Sequence, residues 1–436
     1  MDLLEDKQKK FLFKVKKNFY FTQKYHNSIW YSNPIMLMRQ FPKKTLYNIK
    51  DFLYSGTLKN CKAKNFPKVN KKYKSIIISW AFKGDFKSDG SFYSRYFNIN
   101  SKHNPKLLWF TIYMDKEYPK KIASNIVLIA PFLNKKINFF FLIKNFVSVI
   151  FFLLRNLKII FSKAKVFEVL LMKLSSQNIL SKMIINDFKK CLNKNIKNVL
   201  ITYEAIPFQS KIIEYLKKNK PQIFITGYIH APPSPVPAYL MYNNSSPSKL
   251  IVNGKDQFNL FNKFLGWNKS KLKICKSNRH INKKNQISGN IFLPLAFNSY
   301  KHITSCLVNL IENQNIKNFN LKVRNHPSTA NSLKHNLLST KINNIINKQK
   351  MKNSKKPDFA IFIGCTSAII EALEKNIKVF HISEDPKYDV YTAKFWPSLR
   401  VKKIDEYIYK YNLVKKNNIL KFGKKPKNLN NFFNLN

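Results

Sequence analysis

The stretch DFAIFIGCTSAIIEALEKNIKVFHI, residues 358–382, runs from an apolar segment through Gly364 into Cys365, Thr366 and Ser367, then into a helical pattern. Backbone N–H groups at such a helix start, with the hydroxyls of Thr366 and Ser367 beside them, suit an anion such as a phosphate. Plain helix capping by the same hydroxyls competes with that use. Glu371, four residues after Ser367 on the same helix face, could reach a ribose hydroxyl or pair with Lys375. In KVRNHPS, residues 322–328, Arg324 and His326 close a strand-like run and Pro327 turns the chain directly afterwards. An imidazole and a guanidinium there could hold the same phosphate, although a lone histidine is more often structural.

The first half of the chain offers carboxylates. TYEAIPF, residues 202–208, sets Glu204 at a strand tip before a helix, where it could act as a general base or favour the helix N-terminus. GYIHAPPSP, residues 227–235, sets His230 at a comparable tip. The polar loop with Asp85, Asp89, Gly90 and Arg95 follows the first strand, which makes Asp89 a second candidate base. Asp85, Arg95 and His230 are expected to line the same cleft.

Positioning these groups requires a repeated strand–helix frame. SIIISW from Ser75, LLWFTIYMD, SNIVLIAP, NVLITYE and QIFITGYIH are short apolar runs of the kind that form buried parallel strands. APPSPVPAYL, residues 231–240, holds four prolines in seven residues and reads as the end of a domain. The alternation then restarts with KLIVNG and continues through DFAIFIG and KVFHI. The expectation is an α/β chain with two parallel sheets, each with helices on both faces. The expected units are an extension over 1–70, a domain over 71–235 with a helical apolar insertion near 137–190, a domain over 236–415, and a flexible basic tail over 416–436.

Composition bounds the rest. At 436 residues the chain is long enough for two cores, and 44% hydrophobic residues can fill them. Lys and Arg number 78 against 22 Asp and Glu, a formal charge of +56. Lys, Asn, Ile and Phe crowd the whole chain, so codon bias and general phosphate attraction account for the charge. No zinc-finger, RRM-like or basic-zipper spacing accompanies it, and no specific nucleic-acid partner is expected. The five cysteines are scattered without a CxxC or Cys/His pattern, as free thiols in a reducing compartment would be. The N-terminus is not a signal peptide, so a cytoplasmic location is expected. INFFFLIKNFVSVIFFLLRNLKII, residues 137–160, is broken by Lys144, Asn145, Arg155 and Asn156 and falls short of the ~20 apolar residues a span needs. It suits either a buried interdomain helix or a helix lying on an anionic membrane surface, with Lys135, Lys136, Lys158, Lys163 and Lys165 beside it.

The order of TYE, GYIHAP, KVRNHPS and GCTSAIIEAL resembles bacterial surface-polysaccharide glycosyltransferases of the GT-B fold. The histidine–proline pair followed by hydroxyls at a helix start is similar to enzymes using CMP-activated acidic sugars, namely sialyl-, polysialyl- and capsule Kdo transferases. CDP-glycerol glycerophosphotransferases share a similar layout. The resemblance spans roughly residues 75–395 and implies two Rossmann-like domains facing across a cleft. It also implies a nucleotide-sugar donor, CMP-linked in the nearest likeness, and a glycan or lipid-linked acceptor. His326, Arg324, Thr366 and Ser367 would hold the donor phosphate, Glu371 would face the nucleotide, and Glu204 or Asp89 would be the base. Those families show paired serines where this chain has Cys365-Thr366-Ser367, and an acidic pair before glycine where it has Ser88-Asp89-Gly90. No DxD-type motif occurs in a suitable context, so neither a metal nor a resident cofactor is expected. The competing functions are a CDP-alditol phosphotransferase or nucleotide-sugar epimerase, and a basic non-enzymatic protein binding nucleic acid or lipid.

Overall fold

The computed structural model describes residues 1–25, 52–54, 56–60, 63–66, 73–103, 106–115, 117–131, 137–155, 173–281, 287–314, 316, 319–326, 329, 332–348, 357–426 and 429–433. The chain is α/β, built on a seven-stranded parallel sheet and a six-stranded mixed sheet.

Helix α1 (Asp2–Tyr25) opens the chain. The first sheet begins with β1 (Ser75–Ala81), whose Ile76, Ile77 and Ile78 are almost fully buried, as a continuous β-branched run predicts. A short hairpin of β2 (Tyr93–Ser94) and β3 (Ile99–Asn100) precedes β4 (Leu107–Tyr113) and β5 (Ile126–Ile129). Helices α2 (Phe139–Leu154) and α3 (Ser176–Cys191) follow, then β6 (Asn198–Thr202), α4 (Pro207–Asn219) and β7 (Phe224–Tyr228). After the proline-rich segment come β8 (Lys249–Val252), α5 (Lys255–Lys263) and β9 (Leu272–Ile274). The strands lie in the order β5-β4-β1-β6-β7-β8-β9, all parallel. The chain builds outward from β1 in one direction, then returns and builds in the other. Its strand order therefore reverses between β1 and β6.

This sheet continues past the predicted boundary at 235, because β8 and β9 extend it to Ile274. The prolines of 231–240 shape a loop at the sheet's carboxyl edge. They bar helix and central strand locally, but nothing in that stops the next strand from joining the same sheet.

Strand β10 (Ser277–Ile281) then links the two sheets. The second contains β11 (Asn290–Phe292), β12 (Lys322–Arg324), β13 (Phe359–Ile363), β14 (Lys378–Ile382), β15 (Leu399–Asp405) and β16 (Ile408–Leu413). Its helices are α6 (Tyr300–Asn313), α7 (Leu333–Lys348), α8 (Ala368–Glu374) and α9 (Pro386–Asp389). The order is β12-β11-β13-β14-β16-β15. The first four strands are parallel, and β16 and β15 add an antiparallel hairpin where only parallel strands were expected. Here too the order reverses, between β11 and β13.

Both ends of the described chain are docked. The expected N-terminal extension contains α1, whose Phe11, Leu12 and Val15 are buried, Phe11 packing edge-on against Tyr388 at 5.1 Å. Fully buried Gln8 bonds the Val390 carbonyl at 2.8 Å and accepts from Thr392 Oγ1 at 2.9 Å. The expected flexible tail is anchored through residue 433. Glu374 accepts from the backbone N–H groups of Asn417, Ile419 and Leu420. Strand β17 (Phe422–Gly423) pairs with β10, and α10 (Asn430–Phe433) places Phe432 against Phe97 and Tyr228 of the first half. The tail's sparse apolar residues are the ones it buries, which overall Lys/Asn content conceals.

Candidate functional site at the carboxyl edges of the two sheets

Ligands of open parallel sheets bind beyond the carboxyl ends of the strands, where strand order reverses. In the first sheet that point lies between the ends of β1 and β6, where Trp80 Nε1 donates to Glu204 Oε2 at 3.3 Å. The Glu204 backbone is clamped, its N–H donating to Gln209 Oε1 at 2.9 Å while Gln209 Nε2 reaches the Thr202 carbonyl at 2.6 Å. Ala205 follows at φ +53°, a left-handed conformation that a non-glycine residue adopts at a cost of about 1–2 kcal/mol. Glu204 does not cap α4. That helix has Ile206 at its N-cap with no side-chain bond, and the carboxylate turns away to Trp80 and His230.

His230 Nε2 lies 3.3 Å from Glu204 Oε1, and Tyr96 meets the imidazole edge-on at 4.6 Å. Burial, then the nearby positive charges of Arg279 and His280, drive the His230 pKa well below its ordinary value. A neutral imidazole donating through Nε2 leaves Nδ1 buried without a partner among the described residues. The Glu204 side chain retains 32% exposure, at the bottom of a setting crowded by protein. Desolvation there raises its carboxyl to about 7, against the lowering effects of Trp80 and Arg279.

Arg279 is the cation common to the two edges. It projects from β10, with its guanidinium over the Tyr96 ring at 5.2 Å. Its charge acts on Glu204 and His230 of the first half and on His326 of the second. It makes no ion pair among the described residues. Next to it, His280 Nδ1 bonds Glu371 Oε2 at 3.3 Å, tying β10 to α8. Glu371 also accepts from Lys375 Nζ at 2.7 Å. Burial alone would raise this carboxyl, but His280 and Lys375 outweigh it and hold Glu371 at about 2. The expected pairing with Lys375 is thus present, joined by an imidazole that the sequence did not suggest. Asn278 Nδ2, His280 Nε2 and Asn325 Oδ1 join His230 Nδ1 as buried polar atoms lacking a partner among the described residues. Such atoms are costly unless something bonds them, and two of them, on Asn278 and His280, lie on β10 itself.

In the second sheet the reversal lies between β11 and β13, where Gly364 at φ +66° turns the chain into Cys365. A Cβ on Gly364 would come within 3.1 Å of Pro294 at the end of β11. The Thr366 hydroxyl accepts from Ala368 N–H at 3.3 Å, whereas Ser367 occupies the N-cap without a side-chain bond. Helix α8 has seven residues, so its dipole contributes little. Burial, then His335 and Arg279, lower the His326 pKa. His326 leaves the same edge from β12, and the next strand's Pro294 carbonyl meets His335 Nε2 at 3.1 Å. The two expected phosphate loops therefore share one edge with β11 between them. Pro327 and Ser328 lie outside the described residues. Arg324 is exposed, and its Nε donates to Asn290 Oδ1 at 2.9 Å on the neighbouring strand.

The two edges meet. Tyr239, after the proline segment, feels both Cys365 and Glu204, and burial drives it to about 12. Tyr391 donates to the Pro233 carbonyl and Trp396 Nε1 to that of Pro235, each at 3.1 Å. The APPSP segment is thus one bonded contact between the halves; another is Ser398, whose N–H and hydroxyl both donate to Asp256 of α5.

Asp85 and Arg95 form a pair at 2.6 Å near Tyr96, with Arg95 stacked over Phe82. Burial raises the Asp85 carboxyl, although Arg95 offsets part of that. Asp89 does not join this group. It pairs with Lys102 and accepts from Ser91 N–H, in a turn closed by Gly90 at φ +84°. Its hydrogen bond with Lys102 holds it well below the usual carboxylate range, so it is a poor proton acceptor and a turn-former instead. Arg279, His280, Trp80 and Tyr96 were missed by the sequence reading. The only signal was the NRH triplet at 278–280, which lies in no recognisable motif.

No family model, curated protein or solved structure matches this chain.

Proposed function

We propose that this chain is a glycosyltransferase of the GT-B type, moving a sugar from a nucleotide-sugar donor to a glycan or lipid-linked acceptor. The observation that carries the reading is Glu204, raised to about 7 at one strand reversal, with the charge of Arg279 reaching both it and His326 at the edge of the second sheet. A base effective near neutral pH has a pKa close to that value.

In this reading Glu204 accepts the proton of the acceptor hydroxyl as its oxygen bonds to the anomeric carbon. The bond from that carbon to the donor phosphate breaks through an oxocarbenium-like state. The phosphate leaves with the bonding electrons, and Arg279 supplies the positive charge it needs, with His326 and the hydroxyls of Thr366 and Ser367 as further donors. Lowered in pKa, His326 acts as a neutral N–H donor. Glu371, fixed by His280 and Lys375, orients the nucleotide rather than moving protons. The proposed transfer is metal-independent, because the sequence has no DxD-type motif in a suitable context.

A thermal-shift screen against CMP, CDP, UDP, GDP and their sugar conjugates tests the donor, because a ligand binding only the native state raises stability. At least one nucleotide is expected to stabilise the protein. Arg279→Ala and His326→Ala should each weaken that nucleotide by about tenfold or more. Unchanged affinity in both, or no response to any nucleotide, overturns the reading. Product analysis with the stabilising conjugate separates sugar transfer from CDP-alditol phosphotransfer and from epimerisation.

A further inference from the structure

Helix α2 is apolar on a face that nothing described covers. Leu142 and Val149 are buried against the body of the protein, and the Asn138 side chain caps the helix through Phe141 N–H at 2.8 Å. The outer stripe is different. Phe140 is 76% exposed, Ile143 61%, Phe151 58% and Leu154 55%, with Phe146 and Val147 also open. The spacing is that of one continuous helical face. At 16 residues α2 is too short to span a bilayer, and no described helix is long and apolar enough to cross one.

A cluster of lysines adjoins this helix. Lys173 Nζ sits over the Phe152 ring of α2 at 4.2 Å, and its charge is felt by Lys211 of α4, as is that of Lys182 of α3. Poor hydration, then mutual repulsion, brings Lys211 down to about 8, and burial lowers Lys173 and Lys182. Among the described residues Glu214 is the one acid felt by this trio, and it offsets only part of the repulsion at Lys211. An anion from outside would relieve it. Lys144 on α2 and Arg155 at its C-cap add exposed positive charge.

We infer that α2 and the Lys173–Lys182–Lys211 cluster form a docking surface for an anionic phospholipid bilayer, with the aromatic stripe in the acyl boundary and the lysines on the phosphates. A second protein copy would bring the same unrelieved cations and the same excess of basic over acidic residues, 78 against 22. A membrane supplies both the apolar phase and the counter-charge. The inference is independent of the proposed enzymatic reaction.

The test is cosedimentation of the full chain with vesicles of phosphatidylcholine alone and of phosphatidylcholine holding about a third phosphatidylglycerol. Binding to the anionic vesicles should exceed binding to the neutral ones by at least about tenfold and fall sharply in ~0.5 M salt. The variant carrying Phe140→Ser, Phe146→Ser and Phe151→Ser should lose at least about tenfold while keeping its melting temperature, since these rings are exposed. Replacing Lys173, Lys182 and Lys211 by Gln should lose about fivefold per lysine. Should that variant fold poorly, the salt series on the parent chain reads the same charge dependence. No preference for anionic vesicles, or wild-type affinity in the phenylalanine variant, overturns the inference. So does a wild-type dimer that ignores vesicles and that the phenylalanine variant converts to monomer.

Discussion

Glu204 is held where desolvation raises its carboxyl, which costs stability once it ionises. Its folded pKa of about 7 exceeds the ordinary carboxylate value, so the folded state binds the extra proton. That contribution is fully present below the unfolded pKa and is lost as pH rises through about 7. Glu204→Gln should therefore stabilise the protein above pH 7, by on the order of 1 kcal/mol, discounted because 32% of the side chain is open. The gain should vanish in melts run near the ordinary glutamate pKa; a gain of equal size at all pH values would refute the assignment. The same variant should lose about 10²- to 10⁴-fold in turnover while still binding nucleotide. Wild-type turnover should rise with pH to a half-maximum near 7. Arg279→Ala removes a charge that lowers Glu204, so the residual activity of that variant should show its half-maximum at higher pH. At this scale the sequence was legible for Glu204, which a strand tip marks, and for the Glu371–Lys375 helical pair. It was silent on Arg279, because no local pattern distinguishes one basic residue among 78.

Among the elements, α1 and α8 show how far local pattern reaches. The sequence of α8 announced itself through a glycine turn, hydroxyls and a following strand, and the structure forms that turn at the expected residues. The helix is short because Asn376 at φ +60° ends it one turn after Glu371. Helix α1 carries too many lysines for a clear period, yet Gln8, Phe11, Leu12 and Val15 share one buried face. Phe11→Ala should cost about 3 kcal/mol in a denaturant titration. A change within ±0.5 kcal/mol would mean that α1 is not docked in solution.

Over the whole molecule, the final segment fastens the two halves together. It crosses from the second sheet past α5, pairs with β10 and ends against Phe97 and Tyr228. Passage is tight: a Cβ at Gly254 would sit 2.2 Å from the Ile419 carbonyl, and one at Gly423 would sit 2.1 Å from that of Ser277. Because β10 carries Arg279, the tail also braces the site. Deleting residues 416–436 should lower the melting temperature by at least about 5 °C and weaken nucleotide binding with it. A truncated protein with parental melting and binding would show that the tail contributes neither.

The sequence by itself determined the α/β class, the strands of both sheets up to β14 other than β9 and β11, and the loops at their carboxyl ends, because buried parallel strands need continuous apolar runs and turns need glycine or proline. Those signals are local, set by backbone sterics and burial within a few residues. Only the tertiary structure decided that β8 and β9 belong to the first sheet, that both ends of the described chain are docked, and that the charge of Arg279 reaches both Glu204 and His326. Each of these depends on contacts between residues far apart in the chain. Their free energy resides in shared burial and charge, which no single segment records.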